Sequence, residues 1–177
     1  MPFAVARTRD EAHLYLELNP CDDCGSAATG WEHGLADVEG ELVASYVTVC
    51  PGCGTELEFL FGLPERETGP GPFPNFGGPE PSEILDAGQW LQTADDAAGV
   101  VPVDDQAEAA RLLAIARAAV EEVVKFIQPG QDAVPDDAFW TEDGRRVRDT
   151  EPGRFRLERL LVVRDTYRAL GTETGVN

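Results

Sequence analysis

The chain has 177 residues, of which 42% are hydrophobic and 27% charged, with a formal net charge of −19. These values exclude a chain disordered throughout, and leave room for one ordinary domain or a small metal-stabilised module joined to a helical one. No apolar run approaches the ~20 residues that cross a bilayer; the most apolar stretch, Leu112 to Ile127, is broken by Arg117, Glu121, Glu122 and Lys125.

The start, Met1-Pro2-Phe3-Ala4-Val5-Ala6-Arg7, lacks a basic region followed by a continuous apolar stretch, so no secretory signal is expected and a cytoplasmic location follows. Charge is unevenly spread. Residues 1–63 carry a net −9, residues 64–140 a net −11 and residues 141–177 a net +1, with most arginines at the C-terminal end.

His13-Leu14-Tyr15-Leu16-Glu17-Leu18 alternates in polarity and predicts a strand that ends at Asn19-Pro20. Cys21-Asp22-Asp23-Cys24-Gly25 follows. A second strand is expected over Trp31 to Val38, a turn at Glu39-Gly40-Glu41, and a third strand over Leu42 to Val49, which is rich in β-branched residues. That strand runs directly into Cys50-Pro51-Gly52-Cys53-Gly54, and Thr55 to Phe61 leaves it with alternating polarity.

The two Cys-x-x-Cys pairs use all 4 cysteines of the chain. Two intervening residues let one tight turn present two thiolates to one ion, and four thiolates complete a tetrahedral Zn²⁺ site with ligands at about 2.3 Å. A reducing compartment favours metal thiolate over disulfide. Cys21, Cys24, Cys50 and Cys53 are therefore the candidate metal ligands. Through these two knuckles the chain resembles the zinc-ribbon family over roughly residues 12–63, and the resemblance implies a β-rich fold and a structural zinc. It implies no single activity, because zinc ribbons serve transcription factors, ribosomal proteins, enzymes and adaptors. Rubredoxin-like iron is the alternative metal; the aromatic residues that flank the first rubredoxin knuckle are replaced here by Asp22-Asp23 and Ser26-Ala27-Ala28.

Residues 64–81 form a Pro- and Gly-rich linker or ordered loop, in which Phe73 and Phe76 are expected to pin the segment to its own chain. Three principal helices follow within residues 82–177. Ser82 is the expected N-cap of the first, with Ile84, Leu85, Trp90, Leu91 and Ala94 on its apolar face. Asp104 or Asp105 starts the second, with Ala109, Leu112, Leu113, Ala116, Val120, Val123, Val124 and Ile127 inward and Pro129-Gly130 as the stop. Thr150-Glu151-Pro152 starts the third, with Leu157, Leu160, Leu161, Tyr167 and Leu170 inward. The expected fold class is α+β: a zinc-ribbon module over 1–63 and a helical domain over 82–177. The helical half resembles uncharacterised actinobacterial proteins, a likeness that brings no activity with it.

Catalytic signals are weak. His13 and His33, the only histidines, share no metalloenzyme spacing, although either could join Asp22, Glu32 or Asp37. No phosphate-binding Gly-x-x-x-x-Gly-Lys-Ser/Thr loop is present. The acidic pairs Asp95-Asp96, Asp104-Asp105, Glu121-Glu122 and Asp136-Asp137 each point in divergent directions on a helix and read as caps and solvated faces. Nucleic-acid binding by the ribbon is disfavoured because that segment is anionic. The expectation is a non-catalytic zinc protein acting by protein–protein contact, an acidic adaptor or immunity-like inhibitor of a basic partner. The alternatives are an enzyme with its site between ribbon and helices, and a transcription-related ribbon.

Overall fold

A computed structural model describes residues 3–65, 69 and 71–174. The fold class is α+β: a three-stranded antiparallel sheet in the N-terminal part is followed by helices. The chain divides into two compact units, residues 1–69 with 82–84, and residues 70–81 with 85–177.

The first unit opens with helix α1, Arg9–Leu18, where a strand was predicted over His13 to Leu18. The alternation of leucines there is accidental. The deciding signal lies upstream: Thr8 is the N-cap, and its hydroxyl accepts from the Glu11 N–H at 3.2 Å. Glu11 is fully buried, and its carboxylate accepts from the Arg7 backbone N–H at 2.7 Å and the Arg7 guanidinium at 2.6 Å. A buried carboxylate is tolerable only with such partners.

Strands β1 (Glu32–Val38), β2 (Glu41–Val49) and β3 (Glu56–Gly62) follow in the order β1-β2-β3. Glu39 and Gly40, with φ of 55° and 86°, form a two-residue type I′ turn that pairs Val38 with Glu41. That pairing fixes the register of the whole hairpin, placing Glu32 opposite Val47 and Leu35 opposite Ala44.

One sheet face carries Tyr46, Phe59 and Phe61, and α1 packs there. Tyr15 meets Phe59 and Phe61 edge-on at 5.9 and 5.4 Å, Trp31 meets Phe59 at 5.6 Å, and Tyr46 lies between His13 and His33, each 5.7 Å from it. Each edge-to-face pair adds about 0.5–1.5 kcal/mol beyond area burial. At the β3 end, the Gly62 N–H donates to Ala4 O at 2.9 Å and Val5 bridges Gly62 in parallel.

The second unit holds α2 (Ala87–Gly99), α3 (Gln106–Lys125), α4 (Glu142–Thr150) and α5 (Leu157–Thr174). Among the described residues four helices therefore stand in residues 82–177, where three were expected, and α1 makes five in the chain. α4 escaped the sequence reading because Glu142 to Thr150 contains one aliphatic side chain, Val147, and no apolar stripe. α3 packs against both α2 and α5, and α2 against α4. Trp90, Leu91, Ala94, Leu113, Ala116, Val120, Val123 and Leu160 form the core.

The N-cap of α2 is Asp86, four residues after the expected Ser82. Fully buried, Asp86 also serves a second helix. Its Oδ1 accepts from the Gln89 N–H at 2.9 Å, and its Oδ2 from the N–H and hydroxyl of Thr141 at 2.8 and 2.6 Å. Thr141 in turn caps α4 through the Gly144 N–H at 2.9 Å. One carboxylate thus sits at two helix N-termini, where both dipoles favour negative charge. The approach requires glycines: a Cβ on Gly88 would collide with the Gly144 backbone, and one on Gly144 with the Asp86 carboxylate.

Asp105 caps α3, accepting from Glu108 N–H at 3.0 Å. The Pro/Gly segment is pinned by Phe76, whose ring lies 4.9 Å from that of Trp90, and by Lys125, which donates to Gly78 O at 2.6 Å and pairs with the buried Glu122. Phe73 is exposed, with the Arg111 guanidinium 5.7 Å from its ring. α5 begins at Leu157 after a 3₁₀ turn over Pro152–Phe155, and Leu170, expected inward, is exposed. Arg154 of that turn forms a bidentate pair with Asp95 of α2 at 2.8 and 2.5 Å.

Two outcomes follow from this packing. Asp86→Ala removes the α2 cap and the acceptor that holds the α4 cap Thr141 in place, and should cost the helical unit about 2–4 kcal/mol in denaturant unfolding; a loss under about 0.5 kcal/mol would contradict the shared role of Asp86. Burial, and then the neighbouring Arg9, holds the His13 imidazole below its ordinary 6.5, against smaller opposing effects of Glu17 and Asp10. Its contribution to stability is therefore fully present above pH 6.5 and declines as pH falls from there through the depressed value. His13→Gln should flatten that part of the stability–pH curve, and an unchanged slope would refute the assignment.

Candidate metal centre

The two knuckles are built alike. In the first, the Cys21 N–H donates to Ser26 O at 3.1 Å and the Gly25 N–H to Cys21 O at 2.7 Å; in the second, Cys50 donates to Thr55 O at 2.8 Å and Gly54 to Cys50 O at 2.9 Å. Each loop closes through a glycine at positive φ, 71° for Gly25 and 79° for Gly54, which a side chain would strain. The register of β1 against β2, with Glu32 opposite Val47, and the Thr48 hydroxyl, which donates to Thr29 O at 2.9 Å, bring the second knuckle back to the first.

All four sulfurs lie within 4.8 Å of one another. Cys21 Sγ is 3.6 Å from Cys53 Sγ, and Cys24 Sγ is 3.5 Å from Cys50 Sγ, so each close pair crosses from one knuckle to the other. A tetrahedron with arms of about 2.3 Å has edges of about 3.8 Å, close to these separations, whereas a disulfide bond is about 2.05 Å long. The four cysteines are free thiols arranged to bind a metal ion. Among the described residues, no histidine or carboxylate joins the set, and neither His13 nor His33 gathers a second one with Asp22, Glu32 or Asp37. Both histidines instead flank Tyr46.

Burial divides the ligands. Cys21 and Cys50 are buried, Cys24 and Cys53 exposed. Burial pushes the Cys21 thiol up to about 12, while hydrogen bonds from the Ser26 side chain and amide hold Cys24 down to about 6. Contacts with the Thr55 side chain and amide lower Cys53 as well. Cys24 is thus the ligand that most readily offers a thiolate, Cys53 is shifted in the same direction, and a cation held between the knuckles offsets the cost of ionising the buried Cys21.

Three supporting residues were not singled out from the sequence. Gly52 lies against the opposite knuckle: a Cβ there would collide with the Ser26 hydroxyl and stand 3.0 Å from Cys24 Sγ. Thr55 Oγ is 3.3 Å from Cys53 Sγ and donates to Asp23 Oδ2 at 2.9 Å, tying the knuckles together from outside. Ser26 holds the equivalent place in the first knuckle. The signal for Ser26 and Thr55 was present as a repeated triplet, Cys24-Gly25-Ser26 and Cys53-Gly54-Thr55.

Elsewhere, an open groove of about 220 Å³ between α3 and α5 is lined by Leu113, Arg117, Tyr167 and Arg168 among others, and one of about 570 Å³ lies along α4 beside Glu142, Arg145, Arg146 and Asp149. Neither contains a histidine or a cysteine. No protein-family model matches the chain, and no curated protein or solved structure matches it either.

Gly52→Ala should weaken metal binding by about tenfold or more, as loss of supporting contacts around a metal does elsewhere. Gly34→Ala, where a Cβ meets open space, should leave it unchanged. Competition against a chromophoric chelator measures both, and equal affinities would refute the role given to Gly52.

Proposed function

We propose that this chain is a non-catalytic zinc protein, a zinc ribbon whose metal is structural and which works by binding a basic protein partner in the cytoplasm. The observation that carries the reading is the closed ligand set. Four cysteines fill the four positions of tetrahedral Zn²⁺ and leave none for water or substrate, which is the arrangement of a structural site. Zinc is preferred to iron on the flanking residues, Asp22-Asp23 and Ser26, which are not those of a rubredoxin. When bound, the ion supplies cross-linking of the two knuckles and neutralisation of the thiolates, worth roughly 10–16 kcal/mol of folding free energy.

The partner is inferred from charge. No Lys or Arg occurs between Arg9 and Arg66, a span that holds the metal ligands and the whole sheet. Such a field repels phosphate backbones and attracts cationic surfaces, raising association rates in a salt-dependent way. An adaptor or an immunity-like inhibitor fits it. In the helical unit the arginines are largely engaged with acids of the same unit: Arg154 with Asp95, Arg148 with Asp136 at 3.3 Å, Arg168 with Glu121 at 3.8 Å. No helix among the described residues is long and apolar enough to cross a membrane.

Chelation of the metal should unfold the sheet unit while helical circular dichroism persists; retention of sheet-unit amide protection after complete metal removal would contradict a structural role. Affinity capture on the intact protein should retain a specific basic protein at about 50 mM salt and release it as the Debye length shortens, near 0.5 M. Retention of nucleic acid in its place, or of nothing at low salt, would overturn the partner reading.

A further inference from the structure

Strand β1 is an open sheet edge. β2 pairs with its inner side, and the N-terminal segment reaches only the β3 end, through Ala4 and Val5. Among the described residues no backbone group pairs with the outer side of β1. The turn fixes which groups are free. A two-residue type I′ hairpin makes Val38 and Glu41 a hydrogen-bonded pair, so Val38, Ala36, Gly34 and Glu32 direct their N–H and C=O inward to β2. The N–H and C=O of Asp37, Leu35 and His33 therefore point outward. All three of these residues are exposed.

Protein edges are ordinarily blunted by lysine, proline, a bulge or a covering element. β1 has none of these. It presents Leu35, 65% exposed, and beside it on the same face Leu42 of β2, 51% exposed. The opposite face of β1 is low, with Gly34 and Ala36, and beyond it lies the cross-strand row Glu32, Val47, Glu58, of which both glutamates are exposed. A strand added at this edge would therefore meet leucine on one face and carboxylates on the other.

The geometry points to β1 as a docking edge for an extended basic segment of a partner protein, with apolar side chains on the Leu35 face and Lys or Arg on the Glu32 face. This inference rests on the basic-partner reading and supplies its mode of contact, strand addition. Charge selects this occupant over a second copy of the chain. Pairing two copies would bring together sheet units that hold no Lys or Arg between Arg9 and Arg66, and their like net charge opposes that association.

The test uses the intact metal-loaded protein and a ten-residue blocked peptide alternating lysine with valine. Addition of the peptide at low salt should slow hydrogen exchange of the His33, Leu35 and Asp37 amides by about tenfold or more, and leave those of Gly34 and Ala36, already in the ladder, little changed. Leu35→Pro removes one outward donor and no ladder bond, and should weaken binding by at least about tenfold. Should that variant lose the fold, the exposed pair Glu32→Lys and Glu58→Lys tests the same edge through its charge and should weaken binding similarly. Peptide binding without protection at His33, Leu35 and Asp37 would overturn the edge and leave a basic partner standing. Equal protection by an uncharged threonine–valine peptide would overturn the basic partner and keep the edge, and no binding of either peptide would overturn the docking edge.

Discussion

Four sulfurs held within 4.8 Å of one another impose a condition on the rest of the sheet unit. As thiolates they repel one another, and as thiols they join the knuckles through S–H contacts far weaker than the chain entropy they must offset. A divalent cation resolves both problems. The knuckle backbone anticipates it: Gly25 and Gly54 turn the chain, Ser26 and Thr55 favour ionisation of Cys24 and Cys53, and Gly52 lets the second loop close against the first. Aromatic packing of Tyr46, Phe59 and Phe61 against Tyr15 of α1 supplies the apolar part of this unit.

The helical unit solves a similar problem without metal. Two helix N-termini converge, and their amide groups need acceptors in a place water does not enter. Asp86 supplies them to α2 and, through Thr141, to α4.

Sequence legibility tracked how local the cause was. The hairpin and its turn were readable because β-branched alternation and Glu39-Gly40 act within a few residues, and the four cysteines because Cys-x-x-Cys spacing encodes geometry directly. Helix α1 was misread because Leu14, Leu16 and Leu18 imitate a strand, although Thr8 carried the capping signal. The α2 cap was placed at Ser82, whose hydroxyl instead accepts from the nearby Ile84 N–H at 3.2 Å. The double role of Asp86 is not legible, since it depends on residues 55 apart coming into contact, and α4 is not legible because it carries no apolar stripe. The tight fit of Gly52 against Ser26 and Cys24 is likewise a contact between loops distant in sequence.

The function proposed above joins the acidic sheet unit, its open edge and its closed sulfur set in one reading, with the metal as scaffold and the surface as the proposed binding site. X-ray absorption at the zinc edge of the purified protein tests the foundation of that account most directly. It should find one zinc per chain with four sulfur neighbours at about 2.3 Å and no nitrogen or oxygen in the shell. A shell with a water oxygen or a histidine nitrogen, iron in place of zinc, or a chain without metal and with its cysteines oxidised would contradict it.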